Sequence, residues 1–439
     1  MTGAASPPPT RPATGRQTGP TPAEAHRLEV RRSRLEGRVR LSGAKNSVLR
    51  LLAASLLTEE DVILDNHPAG LLDASVHVGM LEALGKCCRL ENATLSISQH
   101  RPPPSNLIWA GRSIRNTLLI LGALVARTGA GSVPFPGGCD LGDRKYDLHE
   151  LVLRALGADV WAEGERLCAA APSGLAGAEI TLPIRSTGAT ENALLLAALA
   201  RGRTMLWNPH IRPEILDLVR FLRAMGACIE VNGQESIVID GVEGLSGTRH
   251  AVMPDNMEAI TWVIGAMITG GEVEIEDFPV EDLEVPLIFL RESGARIRHN
   301  AGTVTVSAER PYPLEISTGP YPGINSDMQP LFAALGACAR GESRIVDLRF
   351  PGRYAYLAEF AKLGIESMVL DGAARIRGSS RLRGAEVRAL DLRTGAALSL
   401  LGLVAGGSTI IHDAWQIARG YDNFLFKMNA LNANMRALD

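Results

Sequence analysis

The chain has 439 residues, 45 Lys plus Arg against 48 Asp plus Glu, a formal net charge of -3 and 46% hydrophobic residues. This length points to two domains, and the near balance of charge excludes a general nucleic-acid binder, which is normally basic. No apolar run is long enough to span a bilayer, and the six cysteines form neither a C-x-x-C pair nor part of a zinc motif, which points to a reducing cytoplasm and away from a metal site.

Residues 1–26 are Pro, Thr, Ala and Gly with scattered arginines. They lack the apolar segment of a secretory signal and read as a disordered tail. Short strands around Leu28–Val30 and Gly37–Leu41 come next. They precede the first repeated module and are expected to pair with the last one, so that the chain crosses between domains twice. Ser42-Gly43-Ala44-Lys45-Asn46-Ser47 leads into an apolar helix from about Val48. A lysine beside free backbone N–H groups at a helix entrance suits a phosphate, but the same pattern also fits a capped helix with a solvated lysine.

From here the chain repeats itself. Strands such as Asp61–Leu64, Thr204–Trp207, Glu272–Ile275 and Ser408–Ile411 precede amphipathic helices. Each helix closes on a similar phrase, at Gly85, Gly157, Gly226, Gly294, Gly364 and, with asparagine in place of glycine, Asn432. Glycine or asparagine after the last helical residue supplies a left-handed cap. The stops fall roughly 70 residues apart, too far for a solenoid repeat, so each unit is a supersecondary module. Strands alternating with period two follow, as in Glu235–Ile239 and Thr303–Val306. Six modules imply three per domain, with a break near His250 to Asp255. The fold class is therefore α/β: two similar domains, each of three helix-pair-plus-sheet modules, with a cleft between them.

The loop Pro136-Gly137-Gly138-Cys139-Asp140-Leu141-Gly142-Asp143-Arg144-Lys145-Tyr146-Asp147-Leu148-His149 is the most informative segment. A thiol near fixed positive charge has a lowered pKa, and Arg144 can grip a phosphate or carboxylate in a planar fork. The pattern fits a proton-transfer group beside an anionic substrate, or a glycine turn with an inert cysteine. Arg185-Ser186-Thr187-Gly188 opens another apolar helix and can hold a diphosphate or act as a cap. Asp327, in Asn325-Ser326-Asp327-Met328-Gln329, is an N-cap or a general base. Arg353, Arg393 (in Asp391-Leu392-Arg393) and Arg419 (in Arg419-Gly420-Tyr421) recur near element ends, where single arginines are most often surface charges.

Taken together, the S-G-A-K-N segment, the P-G-G-C loop with its R-x-x-D-L-H continuation, S-D-M-Q, D-L-R and R-G-Y resemble the enolpyruvyl transferase family in content and order, from about Leu28 to the C-terminus. The resemblance implies the family's inside-out α/β barrel architecture, with domains at 46–252 and at 27–45 plus 253–439. It also implies transfer of an enolpyruvyl group from phosphoenolpyruvate to a hydroxyl of a uridine nucleotide through a tetrahedral ketal, with release of phosphate and no metal or cofactor. By that resemblance Lys45, Arg115, Arg144, Arg353, Arg393 and Arg419 hold the donor, Cys139 donates the proton to C3 or assists product release, and Asp327 takes the acceptor's proton. Lys45 also counts among the catalytic groups. Asn46, Arg144, Lys145, Tyr146, Asp147, Leu148, Arg185, Ser186, Thr187 and Gly188 face the acceptor, as does Asp327. The departures from the family's pattern lie on the acceptor side: Ile184 stands where the family often has a diphosphate-binding lysine, and Gly323–Ser326 and Leu348–Tyr354 are rewritten. The acceptor is thus UDP-N-acetylglucosamine, modified at its 3-hydroxyl, or UMP, modified at its 3′-hydroxyl. A non-catalytic nucleotide-binding regulator is the remaining reading, and the retained donor residues speak against it.

Overall fold

The computed structural model describes residues 26–137 and 146–438. Cys139, Arg144 and Lys145 lie outside the described residues. Among those described, the strands form six sheets, five of four strands and one of three. The repeat seen in the sequence is present in the backbone: the helix stops take positive φ at Gly85 (94°), Gly157 (93°), Gly226 (103°), Gly294 (100°), Gly364 (86°) and Asn432 (63°).

The modules carry two kinds of helix. The inner helices, such as Thr117–Thr128, Asn256–Thr269 and Leu392–Gly402, are apolar around nearly their whole circumference and are buried on all sides. The outer helices are amphipathic. Pro213–Ala224 starts with proline in its first turn, buries Ile215, Leu218, Val219, Phe221 and Leu222, and leaves Arg220 and Arg223 exposed. The buried apolar residues fall into two separate clusters. One is drawn from positions 48–252 and the other from positions 28–41 and 257–435.

The N-terminal segment completes sheets that the later modules leave unfinished. Strand Arg27–Arg31 sits between Ser408–His412 and Asn434–Leu438, antiparallel to both, as expected from the sequence. Strand Glu36–Arg40 departs from that expectation. It pairs in parallel with Glu272–Glu276 in the fourth module, because the last sheet is already filled by Arg27–Arg31 and Glu386–Arg388. In the same way Thr248–Ala251 returns to pair in parallel with Val62–Asp65 of the first module.

The chain passes between the two clusters at two places, and these passages lie side by side. Gly43 bridges Pro254 in antiparallel fashion, Ala44 N donates to Met253 O at 2.7 Å, and Asp255 N donates to Ser42 O at 2.9 Å. Glycine is required at position 43 because a Cβ there would sit 2.0 Å from Asn66 O. Asp255 joins the two crossings. Its carboxylate caps the helix Asn256–Thr269 by accepting from Met257 N and Glu258 N, and it also accepts from Lys45 N at 3.0 Å, at the start of the helix Lys45–Ala54.

Candidate active site

A cleft of about 970 Å³ opens between residues of the two clusters. The starts of all six inner helices border it, represented by Lys45, Asn116, Thr187, Asn256, Met328 and Leu392. The helix dipoles at these ends favour an anion in the cleft, although Asp255, Ser186 and Asp391 already cap some of the N–H groups there. Of the residues singled out from the sequence, Lys45, Asn46, Arg115, Asp147, Leu148, Arg185, Ser186, Thr187, Gly188, Asp327, Arg353, Arg393 and Arg419 line it. Tyr146 does not. Its ring lies 6.2 Å from that of Phe135 and packs against the first cluster.

Lys45, Arg419 and Asp73 form one charge cluster. Lys45 Nζ is 2.9 Å from one Asp73 carboxylate oxygen and Arg419 Nε is 3.2 Å from the other. Burial raises the Asp73 pKa, but the two cations outweigh burial and hold it below the ordinary value. Asp73 carries no motif. It sits in the first turn of the helix Leu72–Ala83, and only the fold brings it to residues nearly 350 positions away.

Arg393 is 1% exposed, and among the described residues none of its three guanidinium nitrogens has a hydrogen-bond partner. Its cation lies 5.0 Å from the centre of the Tyr421 ring, and Tyr421 in turn shares a hydrogen bond with Thr261 at 2.9 Å. A buried, unsatisfied guanidinium at the edge of a cleft is costly unless an anion occupies it.

Arg353 is held by two carboxylates. Its Nη1 donates to Asp327 Oδ1 at 3.0 Å and to the Ser326 backbone oxygen at 3.2 Å, and its Nη2 donates to Asp391 Oδ2 at 3.3 Å. In this geometry it orients the Asp327 carboxylate. The cap of this segment is Asn325, whose side chain accepts from Asp327 N at 2.9 Å. The Asp327 side chain is therefore not the cap of this turn. Asp391 caps the helix that carries Arg393, accepting from Thr394 N at 2.7 Å.

On the opposite wall Ser186 caps the helix Thr187–Ala197, as one of the two sequence readings had it. Arg185 makes two long hydrogen bonds of 3.4 Å, to Asn208 and to the Gln234 backbone, and Ile184 beside it is 48% exposed to the cleft. His149 is buried against Asn192, and burial, aided by Arg115 and Arg50, lowers its pKa to about 3, so it is neutral. Several polar residues of this wall carried no sequence signal. Arg50 pairs with Glu191 at 2.6 Å, Arg212 forks onto Glu214 at 2.6 and 2.7 Å, and His210 contacts Thr187. Each is a pair between residues whose spacing matches no motif, or a charge inside a buried segment that composition counts as surface.

The chain matches the family model of EPSP synthase (3-phosphoshikimate 1-carboxyvinyltransferase) over residues 30–428. It is 38% identical over 405 residues to UDP-N-acetylglucosamine 1-carboxyvinyltransferase 1 of Caldanaerobacter subterraneus subsp. tengcongensis, covering 91% of this chain and 96% of that protein. It is likewise 38% identical over 418 residues to UDP-N-acetylglucosamine 1-carboxyvinyltransferase of Sphingopyxis alaskensis, covering 92% and 97%. Among solved structures, the enolpyruvyl transferase NikO from Streptomyces tendae superposes with a TM-score of 0.85 at 26% identity, covering 94% of this chain and 99% of that one. EPSP synthase from Acinetobacter baumannii shares the fold, with a TM-score of 0.72 at 19% identity, covering 94% and 100%.

Proposed function

The chain belongs to the enolpyruvyl (1-carboxyvinyl) transferase family, and from that premise we propose that it transfers the enolpyruvyl group of phosphoenolpyruvate to the 3-hydroxyl of UDP-N-acetylglucosamine. The observation that carries the donor half is Arg393, a buried guanidinium that rests on the Tyr421 ring with no hydrogen-bond acceptor among the described residues, in the same cleft as Lys45 and Arg419. A small, multiply charged carboxylate-phosphate matches that set of cations. The acceptor half is supported by the 38% identity to transferases named for UDP-N-acetylglucosamine.

In this reading Arg393 and Arg419 hold the donor carboxylate, while Lys45, Arg115 and Arg144 hold its phosphate. Protonation at C3 of the enol ether makes C2 electrophilic. Asp327, oriented by Arg353, accepts the proton of the acceptor hydroxyl as its oxygen attacks C2. The tetrahedral ketal then loses a C3 proton and phosphate to leave the enol ether product. Cys139 serves the proton transfers at C3 or aids product release. Fixed cations and helix ends around the developing charge supply the electrostatic stabilisation that such a step needs. We assign the domains to 46–252 and to 27–45 with 253–439, a division supported by the two separate apolar clusters, so that closure excludes water from the cationic carbon.

A second reading, transfer to the 3′-hydroxyl of UMP, is favoured by one observation. Ile184 places an apolar side chain at the cleft, at the position where the family's pattern often has a diphosphate-binding lysine. Phosphate release from phosphoenolpyruvate with UDP-N-acetylglucosamine, UDP and UMP, followed by product mass and NMR location of the modified hydroxyl, decides between them. Efficient turnover on UDP-N-acetylglucosamine and none on UMP supports the first reading. The reverse supports the second, and phosphate release with neither overturns both.

A further inference from the structure

His210 lies on the cleft wall between two groups from opposite sides. Its Nδ1 is 2.8 Å from Thr187 Oγ1, and its Nε2 accepts from Tyr321 N at 3.4 Å. Thr187 opens the helix Thr187–Ala197 of the first apolar cluster, whereas Tyr321 lies in the loop before Asp327, in the part of the chain that builds the second. All three residues border the cleft. The backbone of His210 is fixed separately, by donation from its N to Thr190 Oγ1 at 3.0 Å.

The chemistry of the ring sets the direction of these bonds. A backbone N–H only donates, so Nε2 is the acceptor and carries no proton. In a neutral imidazole the proton is then on Nδ1. Neutrality follows from the surroundings. The His210 pKa is lowered to about 4, chiefly by burial, with Arg212, Arg349 and Arg185 acting in the same direction and Glu214 opposing them. Nδ1–H therefore donates to Thr187 Oγ1, and this leaves the Thr187 hydroxyl proton free to be given away. The first turn of an inner helix, with its N–H groups and Arg185 at hand, is where a nucleotide phosphate of the acceptor would lie.

We propose that His210 is a positioning residue for the acceptor: it fixes the Thr187 hydroxyl as a donor to a nucleotide phosphate and couples that recognition to the approach of the Tyr321 loop. The inference rests on the uridine-nucleotide reading above and goes beyond it by naming the group that orders the phosphate contact. The relay runs in one sense, from Tyr321 N–H to His210 and on to Thr187 O–H, and it is complete only when both walls are in place. No bond to the donor is involved, so phosphoenolpyruvate binding is left alone.

The test uses the full chain with His210→Gln, Thr187→Val and the double variant, and reads UMP and UDP dissociation by calorimetry beside steady-state kinetics. Each single change is expected to weaken nucleotide binding and raise the acceptor KM about tenfold, the worth of one well-placed hydrogen bond to a charged group. The phosphoenolpyruvate KM should stay within about twofold, and kcat should fall far less than KM rises. The double variant should be no worse than Thr187→Val alone, because both remove the same contact. Thr187→Ser, which keeps the hydroxyl, should restore binding. If the two single effects add in the double variant, or if nucleotide binding is unaffected by His210→Gln, the relay is wrong. If the unaltered protein binds neither UMP nor UDP, the uridine-nucleotide reading falls, and this inference with it.

Discussion

Arg419 and Asp73 meet with Nε and Oδ1 3.2 Å apart, joining the last module of the chain to the first. The second Asp73 oxygen holds Lys45 at 2.9 Å, so one buried carboxylate spaces two cations of the proposed donor site. Asp73→Asn keeps the shape and removes the charge. The two cations then repel each other without compensation, and the phosphoenolpyruvate KM is expected to rise at least about tenfold with a lower Tm. The folded pKa of Asp73 lies below its unfolded value, so its stabilising contribution is complete above the unfolded pKa, about 4, and is lost as pH falls through the folded one. Thermal scans from about pH 7 down to about pH 3 should show a steeper acid loss in the unaltered protein than in Asp73→Asn. Equal slopes would remove Asp73 from this role.

Arg393 presents the opposite balance. Its charge is buried with no hydrogen bond among the described residues, and the Tyr421 ring and nearby carboxylates offset its desolvation only through space. Arg393→Met should leave the ligand-free Tm unchanged or higher while raising the phosphoenolpyruvate KM at least about a hundredfold. Adding phosphoenolpyruvate should raise the Tm of the unaltered protein and not that of the variant. A variant that unfolds at lower temperature and still gains stability from the ligand would show that Arg393 is a structural cation.

The fold was largely legible because its determinants are local. Uniformly apolar runs mark the inner helices, and a left-handed residue ends each outer one. The segments that carry Lys45, Ser186 and Asp327 read as polar entrances to helices, and Arg393 as a cation near an element end; the cleft is where these starts meet. What stayed hidden depends on contacts between distant parts of the chain. Asp73 looks like an ordinary first-turn acid, and His210 like a loop residue, until packing sets them against Arg419 and Tyr321. The destination of Glu36–Arg40 was hidden for a similar reason, since an edge strand pairs with whichever sheet has a vacancy, and a strand's own residues do not record which one that is.

Asp327 and Arg353 separate chemistry from capping. Because Asn325 makes the cap, Asp327→Asn should leave the Tm within about 1–2 °C, but it should lower kcat by at least about a hundredfold, as expected for a lost general base. Arg353→Ala should lower kcat and also Tm, since it strands both Asp327 and Asp391 without their cation. Parallel stability and activity measurements on the two variants check this. A Tm loss in Asp327→Asn equal to that in Arg353→Ala would make Asp327 structural.

Cys139 lies outside the described residues, and its test follows from its sequence setting between Gly138 and Arg144. A serine hydroxyl is far less acidic than a thiol, so Cys139→Ser should slow turnover strongly while leaving the fold intact. An epoxide that mimics phosphoenolpyruvate should add one adduct to the unaltered protein and none to the variant, read by intact and peptide mass. Alkylation at another cysteine, with full activity of the serine variant, would reassign the proton-transfer group.

Ile184 offers the sharpest control of acceptor choice. It is 48% exposed in the cleft, so a longer polar side chain can be placed there without disturbing the apolar core. Ile184→Lys adds a cation near Arg185, whose own contacts to Asn208 and Gln234 are long. A charge-assisted bond to a second phosphate is among the stronger polar contacts, and about tenfold tighter binding of UDP and UDP-N-acetylglucosamine is expected, with UMP changed by less than about threefold. The gain should shrink as salt is raised, because the new contact lies near solvent. Calorimetry with the three nucleotides at two ionic strengths measures all of this. Equal tightening for UMP and UDP would mean that the lysine senses net charge alone and that Ile184 does not mark the position of a second phosphate.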